Sequence, residues 1–175
     1  MNTAMILAGG KGTRFSEMTH SVPKPMIKAN EKPLLIHIIN LYINYGTKDI
    51  VILAGYKKDI ISEYFNTILN ESKLESDLYT SNDISIKVLD TGLETMTGGR
   101  IKIGIEYKNN EESFFLTYGD ALSDVNLSKL KEFHKLKKPL VTVTAVRPPA
   151  RFGSLEIENG LVKKFGEKDQ AKEGW

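Results

Sequence analysis

The sequence predicts an α/β fold: an open, mainly parallel sheet flanked by helices, with antiparallel strands added near the C-terminus. Three observations carry this. Short apolar runs such as Ile50-Val51-Ile52-Leu53 alternate with longer stretches of helical periodicity, the pattern of parallel strands buried on both faces and joined through helices. Asn159-Gly160 lies between two strand-like segments, a pair that favours a two-residue hairpin turn. The 175 residues carry no internal repeat, low-complexity tract or linker, so they read as one domain, 1–175.

The elements follow in order. Residues 4–7 form the first strand, beginning almost at the start of the chain and without a basic leader, so they are not read as a secretory signal. Pro33 opens a helix at a favourable first-turn position and Gly46 closes it after Tyr45. Residues 49–54 are a strand, and 59–69 a helix with Ile60, Ile61, Tyr64, Phe65, Ile68 and Leu69 on one face. The polar stretch 70–83 reads as a loop before a strand over 84–89. A helix starts near Gly98 or Gly99 and runs through Ile101, Ile105 and Tyr107. Strand 114–118, helix 127–136, strand 140–146 and the hairpin 154–157/161–165 complete a Rossmann-like, mixed sheet. Asp124 suits a cap or turn before the helix at Leu127. Such a sheet binds ligand beyond the carboxyl ends of its strands, which is where Leu7-Ala8, Asp90-Thr91 and Gly119-Asp120 fall.

The first of these ends runs into Gly9, Gly10, Lys11, Gly12, Thr13 and Arg14. Glycine takes positive φ and has no Cβ, so consecutive backbone N–H groups can converge on an anion. Arg14 adds a planar fork of donors with a fixed charge, and the Thr13 hydroxyl a further donor. The stretch lacks the Gly-Lys-Ser/Thr ending of a P-loop and the three spaced glycines of a dinucleotide fold. Gly9 and Gly10 alone fit a tight turn as well as a phosphate cradle; Arg14 decides for phosphate.

In Pro23-Lys24-Pro25-Met26 two prolines pin φ on either side of one lysine and press its neighbours toward extended backbone, fixing where the ammonium points. Out of context a loop lysine is simply solvated. Asp120, after an apolar strand, suits either a turn residue or a hard oxygen ligand for Mg²⁺, which keeps most of its waters and bridges to phosphates. Two adjacent glycines, Gly98 and Gly99, at a loop-to-helix junction leave room for a planar base, or mark an ordinary helix entry; Arg100 beside them contacts ligand or faces solvent.

Composition excludes several functions. With 41% hydrophobic and 26% charged residues and a net charge of +2, the chain has the makings of one good core and no basic stripe, so neither nucleic acid nor disorder is expected. There is no cysteine, hence no disulfide and no thiolate zinc site, and no apolar stretch long enough to cross a bilayer. His20, His37 and His134 lack the spacing of zinc ligands. A cytoplasmic enzyme with no membrane partner is the simplest expectation.

Leu7 to Arg14 followed by Pro23-Lys24-Pro25-Met26 resembles the signature of the sugar-phosphate nucleotidyltransferases, or nucleotide-sugar pyrophosphorylases. Leu89-Asp90-Thr91-Gly92, Thr95-Met96-Thr97-Gly98-Gly99-Arg100, Leu116-Thr117-Tyr118-Gly119-Asp120 and the stretch Pro148 to Gly153 resemble most the glucose-1-phosphate cytidylyltransferase branch, so that the resemblance covers the whole chain. It implies transfer of a nucleotidyl group from CTP to a sugar 1-phosphate with Mg²⁺. Arg14, Lys24 and Asp120 would be catalytic, Asp120 also the metal ligand. Leu7, Ala8, Gly9, Gly10, Gly12, Thr13, Arg14 and Lys24 would hold the nucleotide, with Thr97, Gly98 and Gly99 at its base. Gly153, Glu167 and Lys168 would meet the sugar phosphate, although the family's Glu-Lys-Pro reads Glu167-Lys168-Asp169 here, and Lys168 fits a solvated surface position equally well. Family members extend beyond the point matching Trp175 with a second metal-binding aspartate, more of the sugar pocket and much of a homo-oligomer interface. The chain is accordingly expected to lack the C-terminal part of the family fold. Two alternatives stand beside this reading: a module that binds CTP without transfer, and a pyrophosphorylase using UTP, GTP or dTTP or another phosphorylated acceptor.

Overall fold

A computed structural model describes residues 1–12, 21–68, 73–75, 78–81, 83–108, 112–146 and 154–166. The chain divides into two compact units, Met1–Lys131 and Glu132–Trp175.

The first unit is built on β1 (Thr3–Ala8), which is buried at all six positions. A strand with helices on both faces has no solvent side, which is why this stretch carries no polar alternation. It pairs in parallel with β4 (Asp49–Ala54) on one side and β8 (Phe115–Tyr118) on the other, and β4 pairs in parallel with β7 (Ile84–Asp90). The register sets Ala8, Ala54 and Asp90 side by side at one edge. With β5 (Lys73–Glu75) and β6 (Leu78–Ser81), the sheet order is β5-β6-β7-β4-β1-β8.

Side-chain alternation along β1 and β4 makes two layers. Ala4, Ile6 and Ala8 share a core with Ile50, Ile52 and Ala54, covered by Leu35, Ile38, Ile39 and Tyr42 of α1 (Leu34–Asn44) and by Ile61 and Phe65 of α2 (Lys58–Ile68). Met5, Leu7, Val51, Leu53 and Leu89 face the other way, toward Ile101 of α3 (Thr97–Ile105). That helix lies close to the sheet: a Cβ on Gly104 would sit 2.8 Å from Leu53 Cδ2 and 3.1 Å from Met5 Sδ. Gly46, at φ +83°, ends α1 as the sequence predicts, its N–H donating to Ile43 O over 2.8 Å.

Four expectations are corrected. The polar stretch over 70–83 contains two strands, β5 (Lys73–Glu75) and β6 (Leu78–Ser81), which extend the sheet antiparallel to β7. Tyr79 explains this: it is fully buried against Phe65, and its hydroxyl lies 3.1 Å from Ser62 O and 3.0 Å from Asn66 Oδ1, donating to one at a time. One buried aromatic of β6, packed against α2, outweighs the polar residues around it. Second, Lys24–Met26 forms a 3₁₀ turn between extended Pro23 and Ile27, and a small hairpin follows from β2 (Lys28–Ala29) to β3 (Lys32–Pro33) around Asn30 and Glu31 at positive φ. Third, Asn126, whose Oδ1 accepts from Lys129 N, caps α4 (Leu127–Lys137) in place of Asp124.

In the second unit, residues 140–146 form no strand, the fourth correction. Among the described residues no partner strand pairs with them, and Leu140, Val141, Val143 and Val146 are all exposed, so neither ladder hydrogen bonds nor burial holds them extended. β9 (Ser154–Glu158) and β10 (Leu161–Gly166) form the expected hairpin, with Asn159 and Gly160 both at positive φ, as a type I′ turn requires. The hairpin is a sheet of two strands by itself; the mixed character of the main sheet comes from β5 and β6.

Tyr79→Phe keeps the ring and removes the hydroxyl that ties β6 to α2. It should lower stability by on the order of 1 kcal/mol, read as a lower urea midpoint at unchanged slope; an unchanged midpoint would show that the hydroxyl contributes nothing.

Candidate functional site

The chain order of the strands reverses between β1 and β8: β4 and β7 lie on one side of β1, and β8 on the other. An open α/β sheet has a crevice at such a switch point because successive connections leave in opposite directions. Here it is a cleft of about 620 Å³. Leu7, Ala8, Gly9, Gly10, Lys11 and Gly12 supply one wall, Tyr118, Gly119 and Asp120 a second, Leu93 to Thr97 with Arg100 a third, and Lys24 and Pro25 close the side.

The loop after β1 is anchored from below. Gly9 O accepts from Tyr56 N over 3.2 Å and from Arg100 Nη2 over 3.1 Å. Gly12 takes φ +64°, and Gly10 has open space where a side chain would be. The loop after β8 is held by Gly119 N donating to Leu7 O over 2.8 Å. A Cβ at Gly119 would lie 2.8 Å from Pro25 Cγ and 3.1 Å from Leu7 O, so glycine here lets the Asp120 backbone lie against the Pro25 turn. Across that contact the Lys24 ammonium donates to Asp120 Oδ2, each side chain being 30% exposed. A second ion pair, Lys11 Nζ to Glu94 Oε1 at 2.6 Å, links the glycine loop to the turn after β7.

Of the residues singled out in the sequence, Leu7, Ala8, Gly9, Gly10, Gly12, Lys24, Thr97 and Asp120 meet in this one cleft. Gly98 and Gly99 occupy the first turn of α3, exposed and outside the cleft wall. Thr13, Arg14, Gly153, Glu167 and Lys168 lie outside the described residues, as does the stretch 147–153. No group of three or more His, Asp or Glu side chains with the geometry of a metal cage occurs among the described residues.

Arg100 corrects the reading that it faces solvent. It is only 5% exposed, and its guanidinium binds four protein acceptors: Nη1 donates to Ala54 O at 3.1 Å and to Thr91 Oγ1, Nη2 to Gly9 O at 3.1 Å and Leu93 O at 3.3 Å. Thr91 Oγ1 in turn donates to Ala54 O over 2.5 Å. Burial lowers the guanidinium pKa from its ordinary value, and the charge of Asp90 draws it partly back. The signal was available, because Arg100 shares the sheet-facing side of α3 with Ile101 and Gly104, where a cation needs acceptors.

The molecule is thus an open α/β domain with a glycine-lined, mixed-charge cleft at its switch point. Residues 3–174 match the family model described as nucleotidyl transferase. Glucose-1-phosphate cytidylyltransferase of Salmonella typhi is 42% identical over 175 residues, a match spanning 94% of this chain and 68% of that protein. The probable glucose-1-phosphate cytidylyltransferase of Bacillus subtilis is 40% identical over 174 residues with the same coverage. Among solved structures, HddC from Yersinia pseudotuberculosis complexed with GMP-PN superposes with a TM-score of 0.59 at 26% identity, over 97% of this chain and 71% of that one. The chain belongs to the nucleotidyl transferase family.

Gly119→Ala should cost about 1–3 kcal/mol, as overpacking against backbone and a proline ring does, and should appear as a fall of several degrees in thermal midpoint. An unchanged midpoint would mean that the Pro25 turn yields freely.

Proposed function

We propose that the protein transfers a cytidylyl group from CTP to a sugar 1-phosphate, glucose 1-phosphate first among candidates, giving a CDP-sugar and pyrophosphate. The observation that carries this is the Lys24–Asp120 pair, set on the glycine-lined cleft at the sheet's switch point in a chain 42% identical to a glucose-1-phosphate cytidylyltransferase.

In this reading an oxygen of the sugar phosphate attacks the α-phosphorus of CTP, the bond to the β-phosphate oxygen breaks, and pyrophosphate leaves. The nucleophile is already anionic, so the protein's work is placement and charge neutralisation. The N–H groups of Gly9 to Gly12, with Thr13 and Arg14, hold the departing phosphates. Lys24 exchanges Asp120 for the α-phosphate. Thr97 on the cleft wall is assigned to the base, with Gly98 and Gly99 beside it in the chain, and the family resemblance assigns Gly153, Glu167 and Lys168 to the sugar phosphate.

The Asp120 carboxylate on the cleft wall fits Mg²⁺, which takes one or two protein oxygens and completes its shell with water and phosphate. Asp120 is the residue that would hold it. When bound, the ion neutralises phosphate charge. A cytoplasmic setting and a homo-oligomeric full-length form belong to the same proposal; among the described residues no helix is long and apolar enough to cross a membrane.

Incubation with CTP, glucose 1-phosphate and Mg²⁺, followed by pyrophosphate assay, should show turnover, and Lys24→Ala and Asp120→Ala should each reduce it at least about 100-fold. Calorimetric binding of CTP with no pyrophosphate from this chain or a longer form would replace transfer by nucleotide binding alone. A panel of CTP, UTP, GTP and dTTP decides the base.

A further inference from the structure

We infer that Arg100 is the positioning residue of the glycine loop, and that Gly9 is glycine to admit the Arg100 guanidinium as well as to bare backbone toward a ligand. Two observations carry this independently. The first is donor accounting. A guanidinium has four terminal N–H groups, and Nη1 and Nη2 each make two hydrogen bonds to protein. Three of those donors hold backbone carbonyls and the fourth holds the Thr91 hydroxyl. The acceptors belong to the segments leaving three neighbouring parallel strands: Gly9 after β1, Ala54 at the end of β4, Thr91 and Leu93 after β7. One planar group thus fixes the spacing of three loops at the carboxyl edge, which an ammonium with a single nitrogen cannot reproduce.

The second observation is steric. A Cβ on Gly9 would lie 2.1 Å from Arg100 Nη1 and 2.3 Å from Cζ, and one on Gly55 would lie 2.4 Å from Nη1. The guanidinium therefore occupies the space into which side chains at both positions would grow. Gly10 has nothing within 4 Å of the same construction, so the loop's first two glycines do different work: Gly9 admits the brace, and Gly10 leaves the cleft open.

The four acceptors are three carbonyls and a hydroxyl, all neutral, so the positive charge beneath the loop is solvated by protein dipoles and not cancelled by direct contact with an anion. In a buried setting that charge acts over several ångströms. The brace holds Gly9 and, through it, the donors that follow. The phosphate role rests on the proposed nucleotide function; the contact between Arg100 and Gly9 does not.

A double-mutant cycle on the ligand-free chain tests the contact. Gly9→Ala should lower the thermal midpoint by on the order of 5 °C, and by less than half as much in an Arg100→Ala background, or in Arg100→Met if the alanine variant does not fold. Equal losses in both backgrounds, or no loss in the wild type, overturn it. Calorimetry then tests the positioning role: Arg100→Lys should weaken CTP binding about tenfold or more while changing CMP binding less than about twofold, because the loop is assigned to the outer phosphates. A lower midpoint with the CTP-to-CMP affinity ratio unchanged would make Arg100 merely structural and overturn that role. If the wild type binds no CTP, the proposed function and the phosphate role fall together, and the ligand-free cycle still decides the contact.

Discussion

The parallel pairing of β1 with β4 on one side and β8 on the other is the constraint from which the site follows. Parallel neighbours need a crossover that returns to the starting edge, so every loop entering the cleft leaves a carboxyl end. The register of β1 against β4 brings Ala8 and Ala54 level, and that of β1 against β8 brings Leu7 beside Tyr118. Glycines at positions 9 and 119 then occupy adjacent loops without any contact between their own segments having to be specified. The main-chain bonds from Gly119 N to Leu7 O and from Tyr56 N to Gly9 O carry the pairing past the strand ends. The cleft floor is a continuation of the sheet.

Close approach is the second theme, and glycine sets it at three depths. Gly104 lets α3 settle on Leu53 and Met5, Gly9 and Gly55 leave room for a guanidinium, and Gly119 leaves room for a proline ring. These contacts depend on one another. With α3 held farther from the sheet, Arg100 would not reach Gly9 O, Ala54 O and Thr91 together, and a buried cation left short of acceptors is costly. Packing at Gly104, in the last turn of the helix, thus supports polar chemistry at its first turn.

What was legible in the sequence was whatever local pattern determines. The strands at 49–54 and 84–89, the helix-ending Gly46 and the Asn159-Gly160 turn are decided within a few residues of themselves, and they stand where the sequence predicts. The misses have distant causes. β6 exists because Tyr79 docks on Phe65 from another element, and Lys24–Met26 curls into a 3₁₀ turn where proline preference favours extension. The stretch 140–146 shows the converse, for strong β propensity yields no strand among the described residues without a partner edge. In the site, the glycine loop could be read from its residue types and Lys24 and Asp120 through the family resemblance, whereas the buried role of Arg100 needed its hydrogen-bond acceptors, which lie as far as 91 residues away in the chain.

The cleft holds Lys24 and Asp120 on each other. Lys24 and Asp120 are neither deeply buried nor fully solvated, at 30% exposure each, and an ion pair in that position is worth no more than about 1 kcal/mol in net terms. That modest value suits the proposed function. A pair buried like Arg100 would resist separation, because breaking it strands a charge in low dielectric; a freely solvated pair would leave both groups without fixed directions. Partial exposure lets an incoming phosphate take the ammonium while water or a cation takes the carboxylate, so rearranging the pair costs little of the ligand's binding energy. Arg100, with four acceptors and no vacancy among its terminal donors, is fixed where Lys24 is exchangeable. The cleft thereby separates the cation that keeps its shape from the cation that is available to react with what enters it.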